Sequence, residues 1–191
     1  LFQNDGRYTI SSTNTSRVYQ ACLNFNSKII QDDAVRKAMA MCVDKQGFTT
    51  VLLQGNGSPA VGPFPDNFKF GGNVVKDDPY DIEGAKKILE AAGWVDTDGD
   101  GIREKNGQKL TINWLTYTSR QELPLLAESV QASYRKAGID VKVNATDNYR
   151  DFLKAGKYDV FANAFVTAPT GDPQYYFTTH VVKGSDYNRG H

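Results

Sequence analysis

The stretch 109-KLTINWLTYTSRQELPLLAESVQASYRKAGIDVKVNATDNYRDFLKAGKYDVFANAF-165 decides the fold. It reads as strand, long helix, strand, short helix, strand. Lys109–Tyr117 is rich in β-branched and aromatic residues, with Leu110, Ile112 and Trp114 on one face. Ser119 with Glu122 three residues later has the form of a capping box, and Pro124 falls in the first turn, where its missing N–H is tolerated. Leu123, Leu126, Ala127, Val130 and Tyr134 then follow at helical spacing up to a stop at Gly138. Ile139, Val141 and Val143 alternate with Asp140, Lys142 and Asn144, the period of a strand with one wet face. A second crossover through Asn148–Gly156, apolar at Tyr149, Phe152 and Leu153, leads into Tyr158–Phe165. Strand–helix–strand units of this length join parallel strands by right-handed crossovers. The expected fold is therefore an α/β open sheet, mostly parallel, flanked by helices. Ligands of such sheets sit beyond the carboxyl ends of the strands, which here is the segment after Phe165.

Working outward, Arg7–Ser12 and Arg17–Asn26 read as two further strands, and Asp32 or Asp33 caps a helix whose buried positions are Val35, Ala38, Met39 and Cys42. A short helix is expected over Phe48–Leu53. Residues 54–79 are irregular and rich in Gly and Pro, with Phe64, Phe68 and Phe70 expected to pin the loop to the domain. Asp81 caps a helix buried through Ala85, Ile88, Leu89 and Ala92, ended by Gly93, with Trp94 folding back on that stripe.

Composition narrows the function classes. Twenty-two acidic residues balance 22 basic ones in 191, with no basic stripe, so nucleic acid is excluded as the expected partner. No apolar run reaches the roughly 18 residues of a membrane span. The two cysteines, Cys22 and Cys42, read as small buried thiols. The chain starts at Leu1 without a methionine and ends at Asn188–His191 without a helix stop, and is read as a single domain, 1–191, of something larger.

Asp96, Asp98 and Asp100 stand at alternate positions in 96-DTDGDGIREKNG-107, as a calcium loop requires, since three oxygens converge on a hard cation while glycine makes the turn. The twelfth position is Gly107 in place of a bidentate glutamate, so a polar turn between helix and strand explains the pattern as well. If an ion is held there, it is a structural Ca²⁺.

Several stretches, in order, resemble one family: DDAVRKAMAMCVDK at 32–45, SPAVGPFP at 58–65, YDIEGAKKILEAAGW at 80–94, DTDGDGIREKNGQKLTINWL at 96–115 and GDPQYYFTTH at 171–180. Together they are similar to extracytoplasmic solute-binding proteins of the peptide/nickel class, family 5, which serve ABC importers. The resemblance implies a lobe of the type II periplasmic-binding-protein kind, most of the C-terminal lobe of a two-lobed, monomeric venus flytrap. It also implies export to the periplasm or the outer face of the membrane, any lipid anchor lying outside these residues. The partners would be an ABC permease and a small peptide or a nickel chelate, with no cofactor required.

The resemblance places ligand contacts after Phe165, giving Val166, Thr167, Pro169, Thr170, Asp172, Tyr175 and His180 as the candidate ligand-binding residues. Peptide-binding members resemble W-x-A-D-x-x-D-P at this place, their first aspartate pairing with the peptide ammonium. Here Val166 stands at the tryptophan position and Pro169 at the aspartate position, whereas Ala168-Pro169 agrees with nickel-type members. His180 is then a candidate for an open position on a chelated metal, against the plain reading of a hydrogen-bonded surface histidine, and His191 is a weaker candidate. Asp172 reads first as a helix cap. The alternatives from other classes are a metal-dependent hydrolase domain built on Asp96, Asp98, Asp100 and His180, and a ligand-binding lobe serving as a sensor.

Overall fold

The computed structural model describes residues 5–11, 13–72, 76–185 and 187–188; Ser12 and His191 lie outside the described residues. A four-stranded sheet forms the centre, in the order β1 (Arg17–Leu23), β6 (Val160–Val166), β4 (Thr111–Thr116), β5 (Asp140–Ala145). β4 runs parallel to β5, with Thr111 opposite Asp140, and parallel to β6, with Trp114 opposite Val160. β1 closes one side antiparallel, Arg17 opposite Val166 and Leu23 opposite Val160. The sheet is mixed and mostly parallel, as its β4–α5–β5 and β5–α6–β6 connections require, where α5 is Glu122–Lys136 and α6 is Tyr149–Ala155.

The two crossovers put their helices on opposite faces. On one face Ile112, Trp114, Val160 and Ala162 pack with Leu123, Ala127, Val130 and Tyr134 of α5. The same core takes Val35, Ala38 and Met39 of α2 (Asp33–Met41) and Ala85 and Leu89 of α4 (Ile82–Ala91). On the other face Leu115, Tyr158 and Phe161 pack with Tyr149, Phe152 and Leu153 of α6. Trp114 and Leu115, neighbours on β4, are thus both buried, one on each face, which is why that strand reads as a nearly continuous apolar run. Burying each such side chain stabilises the fold by about 2 kcal/mol.

The caps follow their oxygens. Asp32 Oδ1 accepts from the Ala34 N–H at 3.0 Å at the start of α2, and Asp81 Oδ1 from the Gly84 N–H at 2.8 Å at the start of α4. Trp94 is buried at 4% exposure, its N–H donating to Leu89 O at 2.9 Å. Gly138 ends α5 at φ +81°, a conformation open to glycine.

Several elements differ from the sequence reading. The Ser119–Glu122 capping box does not form: the helix starts at Glu122, and Gln121 holds the cap position with no side-chain bond. Residues 7–11 make no strand, since Tyr8 and Ile10 are exposed and find no sheet face to alternate against. A short helix α1 (Lys28–Gln31) precedes α2, and a single turn α3 (Lys45–Gly47) runs into a π-helical turn over Phe48–Leu52. The two-stranded hairpin of β2 (Glu104–Lys105) and β3 (Gln108–Lys109) takes the start of the stretch assigned to the central strand. Cys22 and Cys42 are free. Cys22 stands opposite Phe161, while Cys42 belongs to the core of the other face, so no disulfide joins them.

The Gly/Pro-rich loop is held by its aromatic residues. Phe64 is 7% exposed and meets Phe70 at 5.0 Å, Tyr176 at 5.4 Å and Phe177 at 6.0 Å, the last two on α7 (Gln174–His180). No helix among the described residues is long and apolar enough to cross a membrane.

Candidate functional site

At the carboxyl end of β6 the chain is clamped and then released. Thr167 is fully buried and donates to Ser16 O twice, from its N–H at 2.9 Å and its Oγ1 at 3.1 Å. Ser16 Oγ returns a bond to Ala168 O at 3.3 Å. The Gly171 N–H then closes a turn on Ala168 O at 3.1 Å, and Pro169, Thr170, Gly171 and Asp172 stand exposed. Asp172 Oδ1 accepts from the Gln174 N–H at 2.7 Å, but it stands one residue ahead of the cap position expected for it, which Pro173 holds without a side-chain bond. The result is a short polar ledge on a buried anchor. Val166 sits half-buried behind it, at the end of β6 opposite Arg17.

On α7, Tyr175 stacks on Phe165 at 5.4 Å with an interplanar angle of 9°, and keeps 46% of its surface exposed. Tyr176 turns inward. His180 lies between two rings, Tyr176 at 4.2 Å and Tyr187 at 4.6 Å, with Phe165 edge-on at 4.6 Å. Its Nε2 is 2.7 Å from the Gln20 amide nitrogen and its Nδ1 is 2.8 Å from Thr179 Oγ1. The Gln20 N–H donates to Nε2, so the proton resides on Nδ1 and is given to the threonine oxygen; the hydrogen-bond network assigns this tautomer. Burial pushes the imidazole down to about 4 against a smaller opposing contact with the Tyr176 backbone, and pushes the Tyr176 hydroxyl up to about 12. His180 is therefore neutral near pH 7 with both nitrogens engaged.

A groove of about 990 Å³ runs along the outer edge of β1, between that strand and the Gly/Pro-rich loop; Gln20, Leu23, Phe48, Phe64, Tyr176 and His180 are among its lining. Of the candidate ligand-binding residues His180 alone lines it. Val166, Thr167, Pro169, Thr170, Asp172 and Tyr175 belong to the ledge and its surroundings. The two features meet at one end, because Thr13, Asn14, Thr15 and Arg17 line the groove and Ser16, between them in sequence, is what Thr167 grips. Sequence reasoning missed Gln20; its signal is a lone amide in the otherwise apolar run 18-VYQACL-23.

The aspartate loop folds away from this region. Asp96 accepts from the N–H groups of Gly99 and Gly101 at 2.8 and 2.9 Å, Asp98 from that of Asp100 at 3.1 Å, and Asp100 from that of Ile102 at 2.8 Å. Asp96, Asp98, Asp100 and Glu104 each place an oxygen within 4.8 Å of the others. Glu104 was not foreseen from the sequence. His180 does not join this group, so the Asp96–Asp98–Asp100–His180 constellation of a hydrolase is not assembled.

Residues 1–188 match the model of the bacterial extracellular solute-binding proteins, family 5 Middle. The nickel-binding periplasmic protein of Escherichia coli K12 is 34% identical over 157 residues, covering 81% of this chain and 30% of that protein. The oligopeptide-binding protein AppA of Bacillus subtilis is 31% identical over 127 residues, 65% of this chain and 23% of that protein. The crystal structure of NikA from Staphylococcus aureus in complex with Ni(L-His)₂ superposes with a TM-score of 0.81 at 26% identity, covering 98% of this chain and 38% of that one. The chain thus spans less than a third of the length of these two curated relatives.

Proposed function

Because the chain belongs to the bacterial extracellular solute-binding proteins of family 5, we propose that it is most of the C-terminal lobe of a two-lobed, monomeric binding protein that captures a small ligand outside the cytoplasmic membrane. It hands that ligand to an ABC permease and performs no chemistry on it. The observation that carries this reading is the exposed ledge Pro169–Asp172 on its buried Thr167–Ser16 clamp, at the carboxyl edge of an open parallel sheet. Pro169, Thr170 and the exposed ring of Tyr175 are the ligand-facing groups; Val166, Thr167 and Asp172 hold them in place. His180 contributes as a fixed neutral wall at the groove, and serves as a metal ligand only on losing its Gln20 bond. One lobe supplies one wall, so tight binding needs the facing lobe as well, and hinge closure around the ligand is the expected motion.

The ligand class is a small nickel chelate in preference to a peptide. Pro169 stands where peptide-type members resemble one another in carrying a carboxylate, and a buried ammonium without that partner costs several kcal/mol. The peptide reading is kept in view by the similarity to AppA. The test is thermal melting of the complete protein with nickel–histidine or with di- and oligopeptides, repeated on Pro169→Asp. Nickel–histidine should raise the melting temperature of the unaltered protein, and the variant should gain a response to peptides. If neither class shifts the melting of either protein, the assignment of ligand and ledge is wrong.

A further inference from the structure

We infer that the turn between α4 and β2 is a calcium site whose side-chain ligands are Asp96, Asp98, Asp100 and Glu104, and that the Lys109 ammonium is a built-in rival for the same position. The acidic loop alone does not establish this. The second observation is Glu104, 9% exposed, whose Oε2 accepts from the Thr97 N–H at 2.9 Å and the Thr97 Oγ1 at 3.0 Å. Its Oε1 is buried and has no hydrogen-bond partner among the described residues. The carboxylate is thus fixed by one oxygen with the other left facing the cluster. Orphaned oxygens of this kind are rare and call for a reason.

Lys109 fills the mouth of the cup without satisfying it. Its Nζ lies 3.0 Å from Asp98, pairs closely with Asp100, and stays 3.8 Å from Glu104 Oε1, beyond hydrogen-bond reach. The other neighbouring cation is Arg135, whose guanidinium bonds to the Asp100 carbonyl at 2.9 Å. Four carboxylates against these two charges leave the loop short of positive charge.

The donor set suits calcium. Four carboxylates each offer one oxygen, all within 4.8 Å of one another; calcium takes such all-protein oxygen cages at roughly 2.3 to 2.6 Å, whereas magnesium keeps several of its waters. Gly101 at φ +83° lets the chain double back so that Glu104 enters behind the three aspartates. Glu104 stands eight residues after Asp96, which is the ninth position of a twelve-residue calcium loop, so this residue replaces the missing glutamate at the twelfth. An ion there would tie the end of α4 to the β2–β3 hairpin.

The test is a calcium titration of the full chain, stripped with a chelator and followed by melting temperature and calorimetry, with magnesium as the comparison ion. Calcium should raise the melting temperature more than magnesium at equal concentration. Glu104→Gln, which keeps the Thr97 bonds, should weaken calcium binding at least tenfold, and the exposed Asp98→Asn should weaken it also. Lys109→Met should tighten it by removing the rival. No calcium response in either the unaltered chain or Lys109→Met would overturn the site. Unchanged affinity in both Glu104→Gln and Asp98→Asn would overturn the ligand set, and weaker binding in Lys109→Met would overturn the rival role.

Discussion

His180 carries a pH dependence whose size follows from its surroundings. In the unfolded chain the imidazole titrates near its ordinary value of 6.5; in the fold, burial among Tyr176, Tyr187 and Phe165 brings it down to about 4. Between those values the unfolded state binds the proton and the folded state does not, so stability rises with pH across that window. The contribution is fully present above 6.5, is lost as the pH falls toward 4, and changes no further below. A gap of that width has an upper bound of about 3.5 kcal/mol, at roughly 1.4 kcal/mol per pH unit. Because the ring is only half-buried, solvent screening reduces this to about 1–2 kcal/mol. Urea unfolding at pH 7.5, 6.5, 5.5 and 4.5 should show the midpoint of the unaltered chain falling faster with acid than that of His180→Gln, which has no proton to take up. At about 2 kcal/mol per molar urea the extra fall amounts to roughly 0.5–1 M. Parallel pH profiles for the two proteins, or a His180 ring resonance titrating near 6.5, would refute the buried, doubly bonded imidazole.

Arg103 makes a second test. Its guanidinium donates to Ala137 O, Trp94 O and Glu90 Oε1, each at 2.9 Å, and so closes the ends of α4 and α5. Arg103→Met leaves two carbonyls without this donor and should destabilise by about 3–4 kcal/mol in urea unfolding; a loss under about 1 kcal/mol would contradict that role. Gly138→Ala should cost about 2–3 kcal/mol by the same assay, because φ is +81° and the new Cβ would lie 2.7 Å from Arg103 Cγ. Asn163 is 3% exposed with neither amide atom hydrogen-bonded among the described residues. Asn163→Leu should therefore be neutral or stabilising, and a loss above about 1 kcal/mol would reveal a partner for the amide.

Particular residues explain how far the sequence could be read. The alternation Ile112–Trp114 and Ile139–Val141, with a helical stripe between, forces a parallel pair, and the structure builds it. Asp32 and Asp81 announce their helix starts because a short carboxylate has few other local uses. Local signals fail elsewhere. Glu122 looks like half of a capping box, but it is itself the first residue of α5 and so cannot hold the third position of that helix. Residues 7–11 alternate like a strand, yet the chain there forms none. The ledge after Phe165 was legible from the sheet rule and the family resemblance together. The groove was not, because it is made by a loop crossing an edge strand, and neither segment names the other. Glu104 was hidden for a related reason: its place in the carboxylate cup depends on the hairpin that carries it back, and loop spacing pointed to Gly107 instead.

The most direct test of the central claim is native mass spectrometry of the complete protein that contains this chain, purified from its source without refolding. The account predicts a retained small ligand, with the added mass of nickel and its chelator, which is lost when the ion is stripped. A ladder of retained peptides would keep the transport role and overturn the ligand class. A protein that carries no small molecule, and that neither nickel–histidine nor peptides stabilise, would contradict the account.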